Sequence, residues 1–552
     1  MNMTSYTRVS PQMIQSALNA FNTKDYALAD RLLREILSID PTQHDANHLH
    51  GLIADLCGQY EAAKQLILKA IHFSPNTALY YDSLGTVFLK MGEFVNSEKC
   101  FRQAIELDKK FGQACNNLAG LLQKSGNIAE AENYYLKAHK LGQPWAYSNY
   151  LLMLNYSNHL SPEESLLKHQ KWEKDYWKRH SGKPYTHKKR NFSPKLKIGY
   201  VSGDFKTHSV AYFFEPLLSA HNKSKVEVFC YYNHSLEDST TERLKGLSDH
   251  WRNIEAQSDQ AAANLIRKDG IDILVDLSGH SAYNRLGVFA RKPAPVQITW
   301  LGYPNSTGLS TMDFRIVDEV TDPIENGLKA CSERILRLDQ GFLCYQGPEF
   351  NYSTTVPSVS KGYITFGSFN NLSKLNDDLI KAWVSILQRV PKSKLFLKSQ
   401  QFSFPEVRDQ LIHKFIKEGV DSSRLILQAH TATTEEHLNL YKEIDIALDT
   451  FPYNGTTTSC EALWMGVPVI TLLGDRHVSR VSASILKHSQ LEKFIATDVK
   501  TYIDLAVSLA DNKDELSHLR SNLREKLKQA PITDKMQFAR NIENAFKQAV
   551  AR

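Results

Sequence analysis

Near its start the chain repeats itself every 34 residues, and that spacing restricts what the region can become. Tyr26, Tyr60, Phe94 and Ile128 share one column. Ala29, Ala63, Ser97 and Ala131 form a column of small residues, and Ile36, Ala70, Ala104 and Ala138 another. Leu33, Ile67, Phe101 and Tyr135 form a fourth. Gly58, Gly92 and Gly126 each stand two residues before the first column, and Pro41 and Pro75 close the first two units. Small residues recurring where two helices must touch predict a helical hairpin per unit. One hairpin cannot bury its apolar face alone, so neighbours stack into a curved array.

A period of 34 with these columns is the tetratricopeptide signature. It places an α-solenoid of about four repeats over residues 1–142. Such arrays usually bind extended peptide, which points to a protein or peptide partner held in the groove.

At 552 residues the chain is too long for one core. A net charge of +6 over that length is mild and argues for no nucleic-acid partner. The densest basic stretch, Lys188-Lys189-Arg190, reads as a solvated linker. Seven scattered cysteines without a C-x-x-C pair fit a reducing compartment. Residues 1–15 lack a signal-peptide pattern, and no run approaches the ~20 apolar residues of a membrane span. The expected location is cytoplasmic, away from membranes.

A helical pattern continues to about residue 180, so residues 143–195 read as a helical cap and basic linker. From Leu196 short apolar runs alternate with helical stretches. These predict βαβ units over 196–345, a linker at 346–361, and a second α/β lobe over 362–552 that ends in helices. Two doubly wound lobes make a cleft, and ligands bind outside the carboxyl ends of such strands.

The most specific stretch runs from Leu448 to Val469. A strand ends at Asp449, Gly455 allows a tight turn, and Thr456, Thr457, Thr458 and Ser459 open a helix. The first turn of a helix has unpaired N–H groups and partial positive charge, and hydroxyls there add donors. An ordinary cap needs one hydroxyl; four predict a phosphate site. Glu461, one turn further in, is placed to accept hydrogen bonds from a ribose.

Taken together, Gly199–His208, Trp300–Pro304, Phe366–Lys374, Glu435–His437 and Asn454–Glu461 make the chain resemble the O-GlcNAc transferase and Spindly family of protein glycosyltransferases. The resemblance spans essentially the whole length. It implies a tetratricopeptide array followed by a GT-B fold of two Rossmann-like lobes. It also implies metal-independent, inverting transfer of N-acetylglucosamine from UDP-GlcNAc to protein Ser/Thr hydroxyls. The donor is a co-substrate, and no cofactor is implied. The chain contains no Asp-x-Asp pair, so fixed donors must take up the charge on the leaving pyrophosphate.

By the same resemblance Lys374 contacts the leaving phosphate, and Thr457 and Thr458 hold the pyrophosphate beside Thr456. Asn371 replaces a donor-site amide. His437 packs on the base, and Gln428 to His430 read it through backbone. Glu461 binds the ribose. His208 falls at the reaction centre, as donor-positioning group or general base; the alternative is a helix cap. His280 and Tyr303 are expected on the acceptor side. The animal enzymes differ: they carry a long insertion between the lobes, a histidine where Thr456 stands and an aspartate where Glu461 stands. These departures point to a bacterial-type or Spindly-like branch, and that branch includes fucose transfer from GDP-fucose. A tetratricopeptide scaffold with an inactive transferase region is the alternative of a different class. N-linked glucosylation by a distant relative is a third possibility, against which the tetratricopeptide register speaks.

Overall fold

The computed structural model describes residues 9–157, 160–187, 192–324, 331–349 and 354–552. The basic triplet 188–190 lies outside them, as do residues 350–353 of the expected linker. The chain divides into two units: residues up to Tyr150 with a short excursion at 403–410, and the remainder.

In the first unit, four helical hairpins follow the 34-residue period. Their helices are Pro11–Asn22 and Tyr26–Ile39, His44–Leu56 and Tyr60–Phe73, Ala78–Met91 and Phe94–Leu107, and Gly112–Lys124 and Ile128–Lys140. The second helix of each hairpin buries three of the columns, as in Ala63, Ile67 and Ala70 or Ser97, Phe101 and Ala104. Small residues are needed because the helices touch: a Cβ on Gly51 would stand 2.7 Å from Ile67 Cγ1. Gly58, Gly92 and Gly126 turn the hairpins with φ of 74°, 79° and 85°, a region that L side chains avoid.

The second unit begins inside the helix Ala146–Leu154, so the boundary falls within the expected cap. The helix Pro162–Arg179, started by a Ser161–Glu164 capping box, packs on the first lobe: Tyr176 Oη donates to the Gly287 carbonyl at 3.1 Å.

The first lobe is a parallel seven-stranded sheet of β1 (Leu196–Ser202), β2 (Val226–Tyr232), β3 (His250–Asn253), β4 (Ile273–Asp276), β5 (Val296–Thr299), β6 (Phe314–Asp318) and β7 (Arg334–Leu338). The order is β3-β2-β1-β4-β5-β6-β7. The second lobe holds β8 (Thr365–Ser368), β9 (Lys394–Lys398), β10 (Leu425–Gln428), β11 (Ile446–Leu448), β12 (Val469–Leu472) and β13 (Ile495–Ala496), ordered β10-β9-β8-β11-β12-β13. Both sheets are parallel throughout and reverse strand order beside their first strand, which opens a crevice at the carboxyl ends.

The final helix, Lys535–Ala551, departs from the expected boundaries. It returns to the first lobe, where Phe538 meets the Trp300 ring and Glu543 Oε1 accepts from the Asn222 N–H at 2.8 Å. No helix among the described residues is long and apolar enough to cross a membrane.

Candidate active site in the cleft between the α/β lobes

After β8 the chain makes a short turn, Leu372–Lys374, capped by Asn371, whose Oδ1 accepts from the Ser373 N–H at 2.9 Å. The turn sends Lys374 across to the loop after β11. Its Nζ donates to the Asn454 carbonyl at 2.7 Å and to Asn370 Oδ1 at 3.0 Å, and it lies 4.5 Å from the Tyr453 ring centre. Loss of water around the ammonium pushes its pKa down to about 8, against the pull of Asp449.

The β11 loop is built around Asp449. Its Oδ1 accepts from the Gly455 N–H at 2.6 Å and its Oδ2 from Thr471 Oγ1 at 2.7 Å. Glycine is required at 455 because a Cβ there would lie 2.5 Å from Ser459 Oγ and 2.9 Å from Asp449 Oδ1. The helix Thr457–Trp464 starts directly after, with Thr456 as its cap residue and no side-chain cap hydrogen bond. Thr458 Oγ1 donates to Asn370 Oδ1 at 3.2 Å. Thr457 Oγ1 is buried without a partner. A buried hydroxyl and open amides at a helix start are a cost unless something fills them.

A cavity of about 380 Å³ joins these groups. It is lined by Asn371, Lys374, Thr456, Thr457 and Thr458 from the second lobe and His208 from the first. The expected cation and helix mouth therefore share one space. His208 caps the helix Ser209–Ala220: its Nδ1 accepts from the Val210 N–H at 3.3 Å and stands 3.7 Å from Asp204 Oδ2. Asn370, one residue before the expected amide, bonds both Lys374 and Thr458 and also lines the cavity.

Glu461, one turn along the same helix, and His437, on the separate helix Thr434–Asn439, sit beside rather than in this cavity. His437 Nε2 donates to Glu461 Oε2 at 3.0 Å, and its Nδ1 meets Lys398 Nζ at 2.6 Å. Lys398, at the carboxyl end of β9, was not foreseen; its place at a strand end was the available signal. Gln428 ends the edge strand β10, where its carbonyl accepts from the Ser399 N–H at 3.1 Å, and His430 is exposed just beyond.

His280 and Tyr303 correct the sequence expectation. Neither lines the cavity. His280 is fully buried, bonded through Nε2 to the Thr307 carbonyl at 2.8 Å and packed on His169, Trp172 and Tyr303. Tyr303 Oη is held by His169 Nε2 at 2.7 Å and by Asn155 Nδ2 at 3.1 Å. The reason is Gly279, whose φ of 52° brings the loop against Tyr303, where a Cβ would stand 2.2 Å from Tyr303 Cβ. The neighbours Ser281, Gly302 and Pro304 reach the cavity instead.

Sequence reasoning also missed the contact that joins the lobes at this cavity. His477, in the loop after β12, lines it and bonds Asp322, four residues beyond β6, at 2.5 Å. Phe342 and Tyr156 complete its walls, and Tyr156 stacks on Tyr453 with ring centres 4.9 Å apart.

A model of glycosyl transferase family 41 matches residues 168–347 and 354–542, and tetratricopeptide-repeat models match 78–111 and 112–143. The SPINDLY protein of Solanum lycopersicum, named a probable UDP-N-acetylglucosamine–peptide N-acetylglucosaminyltransferase, is 39% identical over 409 residues, covering 72% of this chain and 43% of its own length. The SEC protein of Arabidopsis thaliana, with the same name for its activity, is 31% identical over 382 residues, covering 66% of this chain and 38% of its own. The chain thus spans less than half the length of these relatives. A solved mutant of Thermobaculum terrenum O-GlcNAc transferase superposes with a TM-score of 0.77 at 32% identity, over 100% of this chain and 98% of that one. With two parallel lobes, a lysine facing a threonine-rich helix start, and a family model matching most of its length, this chain belongs to glycosyl transferase family 41.

Proposed function

We propose that the protein is a protein O-GlcNAc transferase, moving N-acetylglucosamine from UDP-GlcNAc to Ser or Thr hydroxyls with inversion. The observation that carries this reading is the shared cavity of Lys374 and the Thr457 helix start. As the bond to pyrophosphate breaks, negative charge grows on the leaving oxygen. Lys374 already donates to two fixed acceptors, which leaves one ammonium proton for phosphate. The amides of the helix start and the hydroxyls of Thr456 and Thr457 complete a pre-set anion site, so charge is met without a metal and without reorganisation. Asn371 lines the same site. Glu461, fixed by His437, which Lys398 holds in turn, is offered to the ribose, and His437 with the Gln428–His430 segment to the base. His208 positions the donor. The tetratricopeptide array holds acceptor proteins or peptides, and the protein acts in the cytoplasm.

Purified chain incubated with labelled UDP-GlcNAc and lysate proteins should label them, and Lys374→Ala should not. Equal labelling by both removes the role of Lys374, and no labelling by the wild type removes this donor. GDP-fucose is the second donor to assay, because identity to the SPINDLY proteins exceeds that to SEC.

A further inference from the structure

Two histidines line the cavity, and their hydrogen bonds set opposite tautomers. His208 accepts the Val210 N–H at Nδ1. Its neutral ring therefore carries the proton on Nε2 and offers the cavity a donor. His477 is arranged the other way. Its Nδ1 faces Asp322 Oδ2 at 2.5 Å. An ionised carboxylate only accepts, so Nδ1 carries the proton and Nε2 the lone pair. No described residue bonds that Nε2.

The rest of the arrangement fixes this state. Arg315 Nη1 lies 3.5 Å from Asp322 Oδ1, and Arg315 and His477 together hold the Asp322 carboxyl far below its ordinary range, against the effect of burial. The side chains of His477 and Asp322 are 7% and 8% exposed. The ring stands edge-on to Phe342, 5.1 Å between centres. Its loop is anchored where Arg480 donates to the Val320 carbonyl at 2.5 Å and to the Gly474 carbonyl at 2.7 Å. The charged groups around the ring are Asp318, Asp322 and Arg315 from the first lobe and Asp475, Arg476 and Arg480 from its own segment. Burial first, then Arg315, push the ring below the ordinary histidine range, with both first-lobe aspartates opposing. At neutral pH the ring is uncharged.

We propose that His477, oriented by Asp322, is the base that takes the proton of the acceptor hydroxyl. This rests on the transferase reading above. The acceptor oxygen forms its bond to the anomeric carbon as that carbon's bond to the pyrophosphate oxygen breaks. The electron pair leaves with the nucleoside diphosphate, held by Lys374 and the helix start. The hydroxyl proton passes to His477 Nε2, and Asp322 balances the imidazolium from the opposite lobe. His477 and Asp322 come from different lobes, so the base exists only while the cleft keeps this arrangement.

The test uses the full chain, labelled UDP-GlcNAc and GDP-fucose, lysate acceptors, and UDP and GDP affinity by calorimetry. A wild type that transfers from neither donor removes the transferase reading. Given an active wild type, His477→Gln should lose at least ~100-fold in rate with nucleotide affinity within about three-fold, the range for a lost general base. A rate within about three-fold of wild type overturns the proposal and leaves the transferase reading standing. If His477→Gln fails to bind nucleotide, the pH profile decides. Wild-type kcat/KM should fall on an acid limb below pH ~6.5, and Asp322→Asn, which removes the anion, should move that limb lower while reducing the rate. A limb that is absent, or that Asp322→Asn leaves in place, overturns the assignment.

Discussion

Lys374 reaches across 80 residues of sequence to place its ammonium 2.7 Å from the carbonyl oxygen of Asn454, immediately before the threonine-rich helix start. The bond aims a cation at the position where a phosphate would meet the helix amides. Lys374→Ala removes the charge and leaves Asn370 and Asn454 acceptors facing the same space. Turnover should fall by about 10²–10³-fold, the usual loss for one strong transition-state donor, with the melting temperature little changed. Lys374→Arg should not restore it, because a guanidinium fork is too large for an ammonium site with two acceptors. Steady-state rates on labelled donor check both.

The same lysine predicts a pH dependence. Burial lowers its pKa to about 8, so it is mostly charged at pH 7 and mostly neutral at pH 9. A phosphate binds the charged form. UDP affinity should therefore fall as pH rises through about 8, by roughly ten-fold for each unit beyond it. Calorimetry between pH 7 and 9 should show that slope in the wild type and a flatter line in Lys374→Ala.

Gly455→Ala tests the loop that aims the helix. A methyl group would press on Ser459 Oγ at 2.5 Å and Asp449 Oδ1 at 2.9 Å. Ser459 is tied to Ser482 and Asp449 to Thr471, so neither yields freely. The expected result is about 1–3 kcal/mol of lost stability from overpacking together with weaker UDP binding. Unchanged affinity in a folded variant would show that the loop tolerates the shift.

Much of this architecture was legible because it is periodic. The 34-residue columns name helix contacts directly, and alternating strand and helix patterns name a doubly wound sheet. β3, β5 and β13 span only four, four and two residues, too few to carry a period. The amphipathic last helix announced a buried face without saying what covers it. His280 was misread because a polar residue beyond a strand end can enter either the cleft or the core, and the φ of Gly279 decides which. Lys374 and Thr457 were paired only through family resemblance, since no local pattern links them. His477 and Asp322 lie 155 residues apart on opposite lobes, and neither has a local signature.

The return of the last helix to the first lobe rests on Glu543. Tyr200 Oη donates to His221 Nε2 at 2.8 Å, which leaves the proton on Nδ1, and that N–H donates to Glu543 Oε1 at 3.2 Å. The Asn222 N–H donates to the same oxygen at 2.8 Å. Burial keeps His221 below its ordinary pKa despite this partner, so the ring is neutral and Glu543 supplies the charge. Glu543→Ala strands two donors, one of them on a fully buried ring. Each costs about 1–3 kcal/mol when left unpaired, so a loss of ~2–6 kcal/mol is expected in denaturant unfolding of this unit. Glu543→Gln keeps an acceptor oxygen at the same reach and should recover most of that loss. Glu543 takes no part in the cavity, so UDP affinity of the folded Ala variant should match the wild type. If Gln proved as damaging as Ala, the carboxylate charge rather than its hydrogen bonds would be what fastens the helix to the lobe.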